Sequence, residues 1–254
     1  MHTALLFAIS PIFPLRSITM PNGLGTRRHT NAGSFEAFLE GWLVRQEHYL
    51  DELLSTQQHC HKMRDEDLKE LISRILAHYQ EYYEEKSRMA HRDIFLVFSP
   101  TWFTSFERAF LWIAGFKPGL SFRLVNNSVD DLSEDQHERI NKLMEDTKTE
   151  ERALNHELAK IQERVAAPPL LELLRWGREL ANGEISEEYY RVLDAWKSSL
   201  ETLLANADSL RMNTAVNVVE ILRPAQTVRF LAAAAQLQLR IRTWGLQREA
   251  ERQE

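Results

Sequence analysis

From Ser34 onward the chain offers few places to stop a helix. Its 254 residues include only 9 Gly and 8 Pro, several of them in the first 35 positions, and apolar side chains recur at three- and four-residue steps. Phe35, Phe38, Leu39, Trp42, Leu43, Tyr49, Leu50, Leu53 and Leu54 fall on one face of a helix that Ser34 can N-cap. The polar "STQQHCHKM" should end it. A second stripe, Leu68, Leu71, Ile72, Ile75, Leu76, Tyr79, Tyr82 and Tyr83, begins after Asp65, Glu66 and Asp67, acids that the positive end of a helix dipole favours. No stretch alternates with the period of a strand. The expected fold is all-α, a multi-helix bundle.

Beyond Pro100, "TSFE" at 104–107 has capping-box spacing, which predicts a helix through "RAFLWIAG", closed by a left-handed Gly115 and by Pro118. That helix is apolar nearly all round, so Trp112 is expected to be buried. "LSEDQHERINKLMEDTKTEERALNHELAKIQERV" has a second capping box, Ser133 to Gln136, and carries only a narrow stripe of Ile140, Met144, Leu154, Leu158, Ile161 and Val165. This is the one long charged helix of the bundle. Pro168 and Pro169 end it. "LLELLRWGRELANGE" predicts a compact helix, and Ser186 caps the next, which runs through Tyr189, Trp196 and Leu204 toward Leu222. Pro224 takes the first turn of the last. Residues 34–250 read as one helical domain, and residues 1–33, which lack Asp and Glu and carry three Arg, as a disordered tail or a leader.

The net charge of -6 and pI near 5.9 argue against a protein that coats phosphates. A single cysteine, Cys60, excludes an intramolecular disulfide and suits a reducing compartment. No window after the leader is apolar and long enough to span a bilayer. "HCH" at 59–61 has metal-binding residue types, but adjacent side chains diverge and no fourth ligand stands at usable spacing, so a polar interhelix loop is expected. His78, His91, His137 and His156 read as surface or boundary residues. No phosphate loop, nucleophile elbow or zinc-protease motif occurs, so nothing positive argues for an enzyme. The six tryptophans fall on different elements, and several should meet in one core; a lipid-sized apolar cavity between the helices is the alternative. "LQLRIRTWGLQR" mixes Arg240, Arg242 and Arg248 with apolar residues in the manner of a calmodulin target.

Several blocks, in order, resemble the plant Delay-of-Germination family (the DOG domain): "FEAFLEGWL", "AHYQEYYEEKSRMAHRDIFLVFSPTWFTSFERAFLWIAGFKPGLSFRLV", "LSEDQHERINKL", "ADSLRMNTAVNVVEILRPAQTVRFL" and the late "TWG". The same domain resembles the C-terminal half of TGA-class leucine-zipper transcription factors. The resemblance implies a non-enzymatic plant regulator of seed maturation, dormancy and germination, or of transcription, working by protein contacts in nucleus and cytoplasm. The alternatives are a sequence-specific DNA-binding transcription factor-like protein and a binder of a small apolar ligand such as a lipid. Direct DNA reading is not carried over, because no basic helix followed by heptads precedes the domain here. Founding members bear a His-x-x-x-His pair proposed to hold haem; Gln238 and Arg242 stand at those positions, so no cofactor is expected. Family members engage protein phosphatases through the aromatic first helix. The matching residues are Phe38, Leu39, Glu40 and Trp42, with Gly41 inserted before Trp42. Transcription factors, calmodulin and a second copy of the chain are further candidate partners.

Overall fold

The computed structural model describes residues 24–165 and 187–252 of the chain, and these form seven α-helices with no strand among the described residues. They are α1 (Leu24–His59), α2 (Asp65–Phe98), α3 (Ser105–Arg108), α4 (Leu120–Ser128), α5 (Glu134–Val165), α6 (Glu187–Ile221) and α7 (Pro224–Ala250). The all-α expectation holds, with α5 as the long charged helix. Residues 1–23 of the tail or leader expected over 1–33, the Pro168–Pro169 break, the "LLELLRWGRELANGE" helix with Trp176, and the Ser186 cap lie outside the described residues, whereas residues 24–33 belong to α1.

α1 packs against α2 and α7, while α5 and α6 lie along each other. Two buried clusters fill the interior. One gathers Phe35, Leu39, Trp42, Met89, Ile94, Trp102, Ile113, Leu203 and Leu204; the other gathers Leu53, Leu68, Leu71, Ile75, Phe122, Val125, Val218, Phe230 and Leu231. Tyr79 packs against both. The expectation that tryptophans share a core is met by Trp42 and Trp102, with Trp112 and Trp196 packed at its edge, whereas Trp244 is half exposed.

Local signals set most boundaries. Thr104 and Glu107 form the capping box read from "TSFE". Ser133 and Gln136 form the second, with Gln136 N donating to Ser133 Oγ at 3.2 Å and Ser133 N to Gln136 Oε1 at 3.0 Å. Pro224 sits in the first turn of α7. Within α2, Asp93 leaves the helical region at φ -154°, ψ 91°, and its Oδ1 accepts from the main-chain N–H of Phe95 and Leu96. Asp93 thus kinks α2 and caps its final turn.

Four expectations need correction. α1 already runs from Leu24, so Ser34 is interior to the helix and does not cap it. α3 ends at Arg108, and "AFLWIAG" is not helical: Trp112 N donates to Gly115 O at 2.6 Å and Gly115 N to Trp112 O at 3.2 Å, with Ile113 and Ala114 at φ 45° and 55°. Both central residues are left-handed, as in a type I′ turn, and the left-handed role expected of Gly115 falls to them instead. Trp112 is consequently only half buried and Phe110 is 45% exposed. An αL conformation costs an alanine or isoleucine on the order of 1–2 kcal/mol, so the surrounding contacts must impose this turn.

Candidate functional site

Those contacts come from α6 and α5. Arg211 Nε donates to Phe116 O at 2.7 Å, and its Nη2 donates to Ile113 O at 2.9 Å and to Trp112 O, while the guanidinium lies 5.3 Å from the Trp112 ring centroid. Gly115 has no room for a side chain here: a Cβ would stand 2.7 Å from Arg211 Cζ. On the other side of the loop, Glu151 of α5 accepts from Gly119 N at 2.7 Å and pairs with Lys117 at 3.2 Å. Trp112 Nε1 donates to Asn155 at 2.7 Å. One arginine and one glutamate, both buried, therefore hold residues 112–119 against the bundle.

Beneath this loop lies a cavity of about 200 Å³. Leu76, Phe103, Leu111, Leu124, Phe230 and Leu237 give it apolar walls, and α1 contributes Trp42. Its polar floor is Lys86 and Arg211, with Tyr79, Tyr82 and Tyr83 alongside. Asp208 Oδ1 accepts from Lys86 Nζ at 2.8 Å and also from Arg211 Nη1. Two buried cations share one carboxylate, leaving the floor with a net positive charge. Burial, aided by the nearby Arg211, lowers the Lys86 ammonium to about 8. Burial raises the phenol of Tyr79 to about 12 and pushes those of Tyr82 and Tyr83 further up, so all three keep their protons. Chemically this is a donor-rich floor under apolar walls, able to hold a small amphipathic molecule by an acceptor group. Asp208 is already engaged by both cations and is not free to act as a base. A shallower open groove of about 730 Å³ runs between α5 and α6, edged by Glu150, Glu157, Ser198, Thr202 and Asn206.

The four residues singled out on the first helix do not share one environment. Leu39 and Trp42 are buried, at 2% and 1% exposure; Phe38 is half buried, and Glu40 faces outward. Trp42 Nε1 donates to His78 O at 2.9 Å and its ring stacks on the His78 imidazole at 4.3 Å and 7°. His78 is thus a core residue, not the surface or boundary residue expected. Neither ring nitrogen has a hydrogen-bond partner among the described residues, and burial lowers its pKa to about 4. Gly41 is open to solvent, and a Cβ there would meet nothing nearer than Arg45 at 3.9 Å. One turn on, the buried Gln46 donates to Tyr79 Oη at 2.6 Å and to Gln238 Oε1 at 3.0 Å. Arg242 Nη1 donates to Trp102 O at 3.0 Å and to Glu107 Oε2 at 3.1 Å, the oxygen that also accepts from Thr104 N. Around "HCH", His59 Nδ1 lies 3.0 Å from Ser55 O and Cys60 is a half-buried free thiol.

A family model described as "DOG1: Seed dormancy control" matches residues 49–127, from the second half of α1 to the body of α4. Over 221 residues the chain is 34% identical to the Arabidopsis thaliana protein RESPONSE TO ABA AND SALT 1, covering 84% of this chain and 95% of that one. The chain belongs to the DOG1-like family. Protein DOG1-like 4 of the same plant is 32% identical over 84% of this chain and 93% of its own length. Transcription factor TGA2, also from Arabidopsis thaliana, is 28% identical over 84% of this chain and 64% of its own. For a DOG1-like chain, positions 238 and 242 carry the question of haem. Gln238 and Arg242 are poor axial ligands, and both are engaged in the hydrogen bonds just described, so these residues do not fit the group.

The polar floor went unnoticed in the sequence, although a signal for it existed. Lys86 continues the α2 stripe, four residues after Tyr82 and three before Met89, and Arg211 continues the α6 stripe four residues after Ala207. A charged residue on an otherwise apolar stripe marks a buried, partnered charge.

Proposed function

We propose that this chain is a non-enzymatic plant regulator of seed maturation, dormancy or germination that acts through protein contacts in the nucleus, in the service of transcription control. The observation that supports this most is the likeness to DOG1-like proteins along nearly their whole length, 95% in one and 93% in another. Protein partners of the kinds the family resemblance implies are protein phosphatases and transcription factors, docking on the first helix at Phe38, Leu39, Glu40 and Trp42. With Leu39 and Trp42 buried, such docking requires α1 to lift from α2 and α7. Gly41 weakens α1 by roughly 1 kcal/mol relative to alanine, which favours a helix that opens locally. Calmodulin is the less favoured partner, because Ile241 and Gly245 bury one face of the basic helix it would have to enclose. Among the described residues no helix is long and apolar enough to cross a membrane.

The test has two arms. Proximity labelling in developing seed should retrieve nuclear regulatory proteins. Titration of the purified chain with duplex DNA at moderate salt should show no tight, sequence-selective binding. Such binding without a partner would overturn the reading in favour of a DNA-binding factor. One observation favours a second reading, a carrier of a small apolar ligand: the cavity of about 200 Å³ with its apolar walls and cationic floor. A small molecule retained in native mass spectrometry, and lost on Leu111→Trp, is the result that would raise it.

A further inference from the structure

α7 carries Arg240, Trp244 and Arg248 at successive steps of four, so they form one stripe along the helix. The neighbouring face is spent on the fold: Ile241 and Gly245 are buried, and Arg242 is drawn to Glu107. Gly245 seats against α3 so closely that a Cβ would fall 2.1 Å from Thr104 Oγ1, which fixes the rotation of α7 and hence the outward aim of the stripe. Trp244 is 51% exposed, and both flanking arginines are exposed. Arg248 lies with its guanidinium carbon 5.5 Å from the Phe106 ring centroid; Phe106 packs edge-on against Phe110 at 5.1 Å, and Phe110 is 45% exposed. The surface therefore joins an exposed tryptophan between two guanidinium groups to the half-buried Phe106 and the exposed Phe110, which adjoin it at Arg248.

Its charges are unspent. Arg242 pairs with Glu107, and Arg108 donates to the carbonyls of Pro100 and Phe103. Arg240 and Arg248 have no carboxylate partner among the described residues, and Arg248 meets only the Phe106 ring. Of the nearby acids, Glu249 turns away to accept from Ser105 N, and Glu251, one turn beyond Arg248, makes no ion pair with it.

We propose that the Arg240–Trp244–Arg248 stripe, with Phe106 and Phe110 beside it, is the docking surface for an acidic amphipathic helix of a partner protein. The inference rests on the reading of this chain as a regulator that works by protein contacts, and it names the partner's chemistry. Eight residues at about 1.5 Å each set Arg240 and Arg248 roughly 12 Å apart along the axis. A partner helix laid alongside needs two carboxylates about two turns apart and a large apolar residue between them to cover Trp244. Aromatic and arginine side chains are the types that anchor such interfaces. Nucleic acid fits less well, because two or three cations on a chain of net charge -6 supply too few phosphate contacts, and a backbone of phosphates leaves Trp244 and Phe110 uncovered. A bilayer fits less well for the same shortage of cations.

The experiment uses the full chain and a labelled helical peptide of about 20 residues bearing Glu two turns apart on either side of a Leu/Phe stripe. A second peptide replaces each Glu with Lys. Fluorescence polarisation should show the Glu peptide binding the native chain, and binding should weaken as salt is raised. The double variant Arg240→Glu/Arg248→Glu should lose about tenfold or more in affinity for the Glu peptide and gain affinity for the Lys peptide. Trp244→Ala should weaken both pairings. All three side chains are exposed, so the variants should melt with the native protein. Failure of the native chain to bind the Glu peptide overturns the proposal, as does binding that the charge reversal leaves unchanged. Duplex DNA, or vesicles of phosphatidylserine and phosphatidylcholine, bound by the native chain and lost in the same variants would also overturn it, by reassigning the surface. If the charge-reversed chain still labels its nuclear neighbours in seed, the surface is wrong while the regulatory reading stands.

Discussion

Replacing Lys86 with Met isolates the energetics of the cavity floor. In the folded chain the ammonium is 2% exposed and its pKa falls from the ordinary 10.5 to about 8, chiefly by burial. The unfolded chain therefore binds more protons than the folded one between those two values, and stability must rise with pH across that window. Each pH unit of displacement corresponds to about 1.4 kcal/mol, so the charged lysine costs the fold on the order of 3 kcal/mol at pH 7, nearly all of which is relieved above pH 10.5. By pH 10 the relief is already about 2–3 kcal/mol. The three tyrosines at the floor, whose phenols burial raises from the ordinary 10 to about 12 or above, weaken the native chain and the variant alike as pH approaches 10, so their effect cancels in the difference between the two proteins. In Lys86→Met, Asp208 keeps the Arg211 guanidinium as its partner, so no carboxylate is stranded. Urea unfolding of both proteins at pH 7 and pH 10 gives the double difference. The native chain should gain about 2–3 kcal/mol on the variant between the two pH values, and the variant should be at least as stable at pH 7. Equal pH dependence in the two proteins, within about 0.5 kcal/mol, would refute the reasoning, because it would mean that Lys86 titrates like a solvated lysine.

Two further perturbations test the loop and the stacked histidine. Gly115→Ala places a methyl group 2.7 Å from Arg211 Cζ and 2.8 Å from its Nε. The guanidinium must then leave Phe116 O and Asp208, so a loss of about 2–4 kcal/mol is expected in urea unfolding; a variant melting with the native protein would show that the loop can give way. His78 has its pKa lowered to about 4 from 6.5 by burial, so it takes up its proton more readily unfolded than folded, and stability present above pH 6.5 drains away as pH falls toward 4. His78→Phe keeps the stack on Trp42 and should remove about 2 kcal/mol of the acid sensitivity by pH 5; unfolding curves that keep the native pH slope would count against it.

The long helices were legible because their cause is local. The α2 stripe, the "TSFE" and "LSEDQ" caps and the first-turn Pro224 each involve residues three or four apart, and each occurs in the structure where it was read. The "RAFLWIAG" reading failed for a non-local reason. Its helical propensity and apolar pattern are real, but Arg211, 95 residues beyond Phe116 in the chain, takes the carbonyls of Trp112, Ile113 and Phe116, as a side-chain donor competing with helix hydrogen bonds can. The turn at Ile113 and Ala114 follows from that capture. Nothing within the segment announces it, except that Gly115 and Pro118 stand where a tight loop can use them.

The candidate site was hidden by the habit of assigning charges on helices to solvent. α5 does carry mostly exposed acids and bases, yet Glu151 is 4% exposed and anchors Gly119 and Lys117, and Gln136 is 7% exposed and donates to Gln226. On α6 the pair Asp208 and Arg211 has the i, i+3 spacing of an ordinary surface ion pair. Its position relative to the apolar stripe tells a different story: Ala207 and Leu204 precede it and Val218 follows two turns later, all buried, so the guanidinium must enter the interior and find acceptors there. Gln46, four residues after Trp42, obeys the same rule and reaches Tyr79 and Gln238. A polar residue in register with a buried stripe is thus a prediction of a specific partner, whereas the same residue out of register predicts solvent. Arg240 and Arg248 are the informative exceptions on the outside: they share a register with Trp244 in place of the core, and the described residues supply neither of them with a carboxylate.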